Sequence, residues 1–152
     1  IEGFKGDFRW LSNFWPCKVV FEGLIYPSTE HAYQAAKSLD QEVRVKVQQF
    51  STAAKAKTFS HKIALREDWE EVKFDIMLDL NRQKFVKGSE LAELLVLTGD
   101  AEIVESNFWH DNVYGSCVCN KCNNQGQNKL GKILMKIRSE LNNDCILDNK
   151  SA

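Results

Sequence analysis

The segment from Glu30 to Lys37 carries four side chains that could do chemistry: Glu30, Tyr33, Gln34 and Lys37. In a helix their spacing places them on one face. Breaking a glycosidic bond to ribose builds positive charge at the anomeric carbon, and a nearby carboxylate stabilises that charge or activates water. A lysine with a lowered pKa could instead attack the carbon or form a Schiff base with the opened sugar. Tyrosine and glutamine side chains can hold hydroxyl groups.

The same helix face has a simpler interpretation, a polar surface in contact with water. The opposite face carries Ala32, Ala35, Ala36 and Leu39, which would pack against another helix. Spacing alone favours this ordinary amphipathic arrangement. Tyr33 is the observation against it, because a solvated face has no need of an aromatic ring. A carboxylate, an amine and a ring would also form a binding site without chemistry.

The elements that must position this segment are mostly helical. Ser28 is a good N-cap for a helix that runs to about Leu39, and the residues before it predict a β-hairpin that turns at Glu22-Gly23. The pattern predicts a strand running into a loop over 6–16, a strand over 101–107, a polar loop over 107–128, and further helices over 41–50, 52–60, 67–85, 89–99 and 128–141. Ser89 is the predicted cap of the helix over 89–99, and the predicted core stripe of the last helix is Leu130, Ile133, Leu134, Ile137 and Leu141. We therefore predict an α+β fold, a single compact helix-rich domain over 1–141 with a small antiparallel β-sheet, and a flexible C-terminal tail over 142–152.

The overall composition is that of an ordinary globular protein. The chain has 152 residues, 43% of them hydrophobic, and 20 basic against 21 acidic residues leave a net charge of −1. This balance argues against the phosphate affinity of a strongly basic protein, although a local basic patch would not show in it. No apolar run approaches the roughly 20 residues of a membrane span, and we expect neither a signal peptide nor a membrane partner.

Three of the five cysteines cluster in the predicted polar loop. Cys117, Cys119 and Cys122 have C-x-C-x-x-C spacing, and His110 lies seven residues upstream. Such a set predicts either a tetrahedral zinc site with structural function or free, occasionally oxidised thiols. Thiols so close together suit the reducing cytoplasm. We expect no cofactor to be required for catalysis.

Seven fragments of the sequence together resemble the NADAR superfamily, which includes the YbiA-type N-glycosidases. In order, the fragments are LSNFWP, STEHAYQAAK, Trp69, KF at 84–85, LTGDAEIVES, HDNVYG and GQNKLGKILMKIR. The resemblance runs from about Phe8 to Arg138 and implies a compact, helix-rich α+β domain. It also implies hydrolysis of an N-glycosidic bond to a phosphorylated ribose. The substrates would be ADP-ribose on guanine, in DNA, RNA or nucleotides, or ribosylated riboflavin-pathway intermediates.

Carried over by position, the resemblance implies that Glu30 and Lys37 are the catalytic pair. Trp69 would line the pocket as well as the core, and Arg9 is a candidate phosphate partner. Glu105 and Asp111 could bind ribose hydroxyls or orient water. The full predicted set of substrate-binding residues is Arg9, Ser12, Asn13, Phe14, Tyr33, Gln34, Trp69, Glu105, Asp111, Tyr114, Gly115 and Asn128.

Asn128 precedes the last helix, so an N-cap and a ligand-binding role are equally favoured by the sequence. Many NADAR members have tryptophan at the position of Tyr114 and glycine at the position of Cys117. Tyrosine keeps an aromatic platform, whereas the specificity for the base is open. His31 and His61 are expected to have no catalytic role.

Three functions compete at this point. The leading one is an N-glycosidase, a hydrolase that would reverse ADP-ribosylation or act on riboflavin intermediates. The second is a non-catalytic module that binds ADP-ribose or a nucleotide; Glu30 together with Lys37 argues against it, because a binding module needs donors and a stacking ring rather than that pair. The third is a zinc-stabilised interaction domain whose polar helix face meets a partner protein.

Overall fold

A tight β-hairpin precedes the segment that carries Glu30. In the computed structural model, which describes residues 1–151, strand β1 (Pro16–Phe21) pairs antiparallel with strand β2 (Leu24–Ser28). The turn residues Glu22 and Gly23 have φ values of 42° and 85°. Left-handed backbone at both central positions is what a two-residue hairpin turn requires, because it matches the twist of the strands. The predicted hairpin is confirmed.

The first helix, α1 (Thr29–Ala36), begins directly after the hairpin. The Ser28 side chain accepts a hydrogen bond from the backbone N–H of His31 at 3.1 Å, which confirms the predicted N-cap. The helix ends at Ala36, so Leu39 lies beyond it and is exposed. The expectation that Leu39 packs on the alanine face is therefore wrong.

Three further helices complete this part of the chain: α2 (Gln41–Gln48), α3 (Ala53–Ser60) and α4 (Trp69–Lys84). Together with the hairpin and α1 they form one compact unit, Ser12–Lys84. Helix α1 packs against all three helices and both strands, and its small residues Ala32, Ala35 and Ala36 are fully buried. Alanine allows the backbones to approach closely, which is how a single short helix can pack against five other elements.

His31 has a structural role in this packing, as the sequence predicts. Its Nε2 lies 2.9 Å from the carbonyl oxygen of Phe50, and its Nδ1 lies 2.6 Å from the hydroxyl of Ser28. Because a carbonyl oxygen can only accept, Nε2 carries the proton and Nδ1 accepts from the serine. Burial lowers the pKa of the imidazole, which favours this neutral form.

The second compact unit consists of Ile1–Leu11 and the described residues from Phe85 on. Residues Gly6–Leu11 form a 3-10 helix, so the predicted strand over this stretch is wrong. The indole N–H of Trp10 donates to the carbonyl of Asp7 at 2.9 Å, and the Trp10 ring meets the Phe85 ring edge-on at 6.2 Å. Trp10 is therefore buried although its backbone forms a turn and not an extended strand.

Two helices dominate this unit, α5 (Glu90–Leu97) and α6 (Lys129–Lys150). Ser89 caps α5 through a hydrogen bond from the N–H of Ala92 at 3.1 Å, as predicted. The predicted core stripe of α6 is buried at Leu130, Leu134, Ile137 and Leu141, whereas its fifth member, Ile133, is half-buried. Residues 142–150 of the predicted tail continue this helix; their mobility stays a prediction, and Ala152 lies outside the described residues.

The predicted strand over 101–107 is mostly absent from the described structure. Val104 forms a single bridge with Glu2, and strand β3 is only Ser106–Asn107, paired in parallel with β4 (Ser116–Cys117). The reason is Asn128. Its side-chain oxygen accepts from the N–H of Glu105 at 3.0 Å, and its amide donates to the carbonyl of Ile103 at 2.9 Å. A side chain thus takes the hydrogen bonds that a neighbouring strand would have made.

Helices with a small antiparallel hairpin confirm the predicted α+β class. The single-domain boundaries stay a prediction. Within residues 1–151, no helix is both long enough and apolar enough to cross a membrane.

A Gly115→Ala substitution tests how closely the backbone segments of the second unit approach each other. A Cβ at Gly115 would lie 2.3 Å from the carbonyl oxygen of Glu105, a clash that only a backbone shift can relieve. We expect the free energy of unfolding to fall by about 3 kcal/mol in urea titrations.

Gly99→Ala is the matched control, because Gly99 has φ +62° with nothing within 4 Å. Left-handed strain alone should cost about 1 kcal/mol there. Equal losses in the two variants would contradict the close approach at Gly115.

Candidate active site

The polar face of α1 is buried rather than solvated. Glu30 is 7% exposed, Tyr33 6% and Gln34 4%, and Lys37 at the end of the helix is half-buried. The simpler interpretation of this face as a water-exposed surface is therefore wrong. A carboxylate removed from water needs hydrogen-bond partners, since an unpaired buried charge costs several kcal/mol or more.

Glu30 has such partners within its own helix and in the preceding loop. The side-chain amide of Gln34 donates to Oε1 of Glu30 at 2.7 Å, a contact that the i, i+4 spacing permits. The backbone N–H of Glu30 donates to the carbonyl of Asn13 at 3.0 Å. Glu30 also lies in the first turn of α1, where the helix dipole stabilises negative charge. The carboxylate is thus held in one direction.

Lys37 caps the C-terminal end of α1 on the same face. Burial lowers the pKa of its amine; the negative charge of Glu30 acts in the opposite direction, and the positive charges of Lys57 and Lys73 lower the pKa further. The Nζ atom lies 5.8 Å from the centre of the Tyr33 ring. A lowered pKa increases the fraction of neutral amine at neutral pH, and the neutral amine is the nucleophilic form.

Aromatic rings lie beside this pair of charges. The Tyr33 ring meets the ring of Trp69, the first residue of α4, at 5.0 Å between centroids and 54° between planes. Phe14 in the preceding loop is 41% exposed, and the Nζ atom of Lys57 lies 5.8 Å from its ring. Flat surfaces near cations of this kind suit a ligand that has a base and negative charge.

The loop Ser12–Phe14 is bound tightly to α4. Asn13 is buried, its amide nitrogen lies 3.4 Å from the sulfur of Met77, and its side-chain oxygen lies 3.4 Å from the amide nitrogen of Asn81. Ser12 accepts a hydrogen bond from the N–H of Phe14 through its hydroxyl at 3.1 Å. These contacts hold Ser12 and Asn13 in place, and their binding roles stay predictions.

Lys84 is a residue of this site that the sequence reasoning missed. Its amine donates to the carbonyl oxygen of Ser12 at 2.6 Å, and the residue is 3% exposed. Burial lowers the pKa of Lys84 to about 7. The signal for it was the KF fragment at 84–85, but a lysine at the end of an amphipathic helix is normally solvated, so nothing in the sequence marked it as buried.

The structure thus brings eight predicted residues together within the unit Ser12–Lys84, and the others lie in the second unit. Asp111 accepts hydrogen bonds from the N–H groups of Val113 and Tyr114, both at 3.0 Å, through one carboxylate oxygen. Its carboxylate therefore closes a turn. Arg9 is exposed on the 3-10 helix. The substrate contacts of Arg9, Glu105, Asp111, Tyr114, Gly115 and Asn128 stay predictions.

Asn128 does not act as the N-cap of α6. Its backbone has φ 50° and ψ 43°, and its side chain makes no capping hydrogen bond. The amide is occupied by the backbone of residues 103 and 105 instead. Of the two roles considered for it, the N-cap is wrong.

The four predicted metal ligands converge in the second unit. His110 Nδ1 lies 3.4 Å from the sulfur of Cys122, 3.5 Å from that of Cys119 and 3.7 Å from that of Cys117. All four ligand atoms lie within 4.8 Å of one another, so the cluster could hold a metal ion. A tetrahedral zinc ion with ordinary bond lengths separates nitrogen from sulfur by about 3.6 Å. The observed geometry fits such an ion.

Local backbone and thiol contacts also prepare this cluster. His110 has φ 66°, which turns its ring back toward the cysteines that follow it. A hydrogen bond from the backbone of Cys122, together with the Cys117 thiol, lowers the pKa of Cys119 to about 6. Thiolate is the form that binds a metal.

Comparison with known proteins places the chain among well-defined relatives. The model of the NADAR domain matches residues 4–142. The chain is 35% identical over 144 residues to N-glycosidase YbiA of Escherichia coli (strain K12), covering 90% of this chain and 81% of that protein. It is 34% identical over 138 residues to N-glycosidase Npun_R5314 of Nostoc punctiforme, covering 88% and 85% of the two chains.

Two other similarities concern a longer protein and a solved structure. The chain is 36% identical over 137 residues to the riboflavin biosynthesis protein VVA0006 of Vibrio vulnificus, covering 86% of this chain. It spans only 35% of that relative's length. The NMR structure of the E. coli protein YbiA matches with a TM-score of 0.82 at 30% identity, covering 96% of this chain and 86% of that one. The similarity confirms the predicted fold.

The pKa of Lys84 generates a prediction about stability. The unfolded chain keeps the lysine proton up to about pH 10, whereas the folded chain loses it near pH 7. Between these values the unfolded state binds more protons, so the free energy of unfolding should rise with pH, by at most about 1.4 kcal/mol per unit. In Lys84→Met this contribution should be absent.

Urea unfolding of the unmodified protein and of Lys84→Met, from about pH 6 to about pH 9, measures this contribution. It is the difference between their slopes of unfolding free energy against pH. Lys55→Met, at an exposed position of α3, is the control and should keep the slope of the unmodified protein. Parallel curves for the unmodified protein and Lys84→Met would contradict the lowered pKa.

Proposed function

The chain belongs to the NADAR domain family, and on that premise we propose that it is an N-glycosidase that hydrolyses the bond between a base and a phosphorylated ribose. The observation that carries the proposal is the buried pair on α1. Glu30 is held by the amide of Gln34, and Lys37 has a lowered pKa on the same helix face. A surface helix would have no reason to bury either group.

The electrostatics of the site support an anionic substrate. Lys57 and Lys73 are close enough to Lys37 to lower the pKa of its amine, so further positive charge lies beside Lys37, although Lys73 also pairs with Glu70. Phosphate groups on the ribose would compensate that charge. Gln34 Oε1 is buried and has no hydrogen-bond partner among the described residues. We infer that this oxygen accepts a hydrogen bond from a ribose hydroxyl of the substrate.

Two routes to cleavage use this pair, and neither requires a cofactor. In the first, Glu30 takes a proton from a water molecule whose oxygen attacks the anomeric carbon, while the base leaves with the bonding electrons and takes up a proton. In the second, the neutral amine of Lys37 attacks that carbon while the base leaves with the bonding electrons and takes up a proton, and water then releases the sugar. The lowered pKa of Lys37 favours the second route.

We propose substrates of two kinds: ADP-ribose on guanine, in DNA, RNA or nucleotides, and ribosylated riboflavin-pathway intermediates. A non-catalytic ADP-ribose or nucleotide-binding module is the alternative, and the exposed ring of Phe14 favours it, since a base could stack there without being cleaved. The clustered thiols further favour the cytoplasm as the location.

Substitution of the pair should abolish turnover. We expect Glu30→Gln and Lys37→Met to lower kcat by roughly 100- to 10,000-fold, because each removes a group that acts on the reacting bond. The assay incubates the protein with guanine-ADP-ribosylated DNA and, separately, with ribosylaminopyrimidine phosphate, and measures the released sugar.

Exposed residues of the neighbouring helices provide matched controls. Glu42→Gln in α2 and Lys55→Met in α3 change the same charges at exposed positions and should keep full activity. Borohydride added during turnover should trap a reduced sugar adduct on Lys37 if the amine attacks. Tight binding of ADP-ribose without turnover of either substrate would establish the binding module instead.

We further propose that His110, Cys117, Cys119 and Cys122 bind one zinc ion with a structural function. Four protein ligands leave no coordination position for water, so the ion would stabilise its loop rather than act on substrate. The loop also contains the turn closed by Asp111. A bound ion would therefore connect the residues on both sides of this turn.

Elemental analysis of the purified protein should find about one zinc per chain, and a chelator should lower the melting temperature. Cys119→Ser should lose the ion, whereas Cys145→Ser, at an exposed position on α6, should retain it. Protein without zinc, with a melting temperature that a chelator leaves unchanged, would show that the cluster consists of free thiols.

A further inference from the structure

Lys84 carries a buried amine, and a buried amine requires interactions that compensate for the loss of water. It is 3% exposed, near the end of α4, and its amine donates to the backbone carbonyl of Ser12 at 2.6 Å. Removing an amine from water costs free energy unless hydrogen bonds replace the solvent. A methionine or leucine would fill the same space without that cost, and neither could donate a hydrogen bond to Ser12 as lysine does here.

Lys84 is one of three residues by which α4 holds the loop Ser12–Phe14. Met77, Asn81 and Lys84 follow each other at intervals of four and three, which places them on one stripe of the helix. Asn81 and Met77 contact the side-chain amide of Asn13. Lys84 contacts the main chain one residue earlier, so backbone and side chain of the loop are both fixed.

The loop in turn holds the start of α1. The first N–H groups of a helix have no acceptor inside the helix. The Ser28 hydroxyl accepts a hydrogen bond from the N–H of His31, and the carbonyl of Asn13 accepts one from the N–H of Glu30 at 3.0 Å. A displacement of the loop would therefore leave the backbone of Glu30 without its acceptor and free the first turn to move.

We propose that Lys84 is a positioning residue, which fixes the loop Ser12–Phe14 against α1 and thereby the direction of the Glu30 carboxylate. It acts through the loop. The kinetic consequence rests on the proposed glycosidase function, whereas the structural link from Lys84 to Glu30 can be measured without turnover. A displacement of a reacting group by a fraction of an ångström lowers kcat more than it changes KM.

The test compares Lys84→Met with Gln83→Met. Gln83, the preceding residue on α4, exchanges two hydrogen bonds with the backbone of Val20 in β1, at 2.7 and 2.8 Å. Both substitutions thus remove a polar contact between the same helix and a backbone segment. Only Lys84→Met removes one next to Asn13, whose carbonyl accepts from the N–H of Glu30. Hydrogen exchange of individual amides is the first readout.

In Lys84→Met we expect the amides of Trp15 and Glu30 to exchange about tenfold faster relative to Ala36, with Val20 unchanged. Trp15 is included because its N–H also donates to Ser12. In Gln83→Met the Val20 amide should exchange faster, while Trp15 and Glu30 keep their rates. Should Lys84→Met fold poorly, Lys84→Gln provides a second measurement. Its side chain is polar but one bond shorter, so we expect it to lose the contact with Ser12 and the Glu30 amide to exchange faster.

Kinetics provide the second readout. We expect Lys84→Met to lower kcat about tenfold or more with little change in KM, and Gln83→Met to lower neither. Unchanged exchange at Glu30 in both folded Lys84 variants would overturn the inference. An unmodified protein without turnover would overturn the proposed function, and the exchange rates would still decide the role of Lys84.

Discussion

Burial of the polar face of α1 is the constraint on which the candidate site depends. A carboxylate at 7% exposure persists because an amide one helical turn away and the helix dipole stabilise its charge. The same burial lowers the pKa of Lys37, whose positive charge would otherwise be fully stabilised by water. One physical cause thus produces both a fixed carboxylate and a more reactive amine. The chemistry proposed for the pair therefore depends on this enclosure as well as on the identity of the two residues.

Enclosure of α1 is possible because its other residues are small. Ala32, Ala35 and Ala36 let α2, α3, α4 and the hairpin approach the helix closely, and every residue from Thr29 to Ala36 is buried. The tight packing also explains the role of the loop before the hairpin. With the helix surrounded, the N–H groups of its first turn must find acceptors in the protein, and the carbonyl of Asn13 is one of them.

Asparagine side chains replace regular secondary structure in the second unit. Asn128 bonds to the backbone of residues 103 and 105, Asn107 to that of Asp111, and Asn112 to the N–H of Cys117. An amide has both a donor and an acceptor, so it can satisfy a backbone segment as a strand would. The loop can therefore be ordered with strands only two residues long. It also carries the cysteine cluster, where four ligand atoms already lie at distances that suit a zinc ion.

Local patterns in the sequence were sufficient for most of the fold. The hairpin turn at Glu22-Gly23, the caps Ser28 and Ser89 and the apolar stripe of α6 all depend on residues near each other in the chain, and each was predicted. The cysteine cluster was predictable for the same reason, since its spacing is local. The resemblance to the NADAR superfamily supplied the prediction that Glu30 and Lys37 are the catalytic pair, which stays a prediction, and family membership is confirmed.

Burial and long-range hydrogen bonding were decided only by the tertiary structure. Spacing could show that Glu30 and Lys37 share a helix face, but not whether that face meets water, because the answer depends on helices that follow up to about 50 residues later. The burial of Lys84 could not be predicted for the same reason, because its acceptor, Ser12, lies 72 residues earlier in the chain. For Asn128 the sequence favoured an N-cap and a ligand-binding role equally, because its neighbours resemble a helix start, whereas its hydrogen bonds go to residues 103 and 105, more than 20 positions away. Sequence patterns report contacts within a few residues, and the free energy of a buried polar group is set by contacts across the fold.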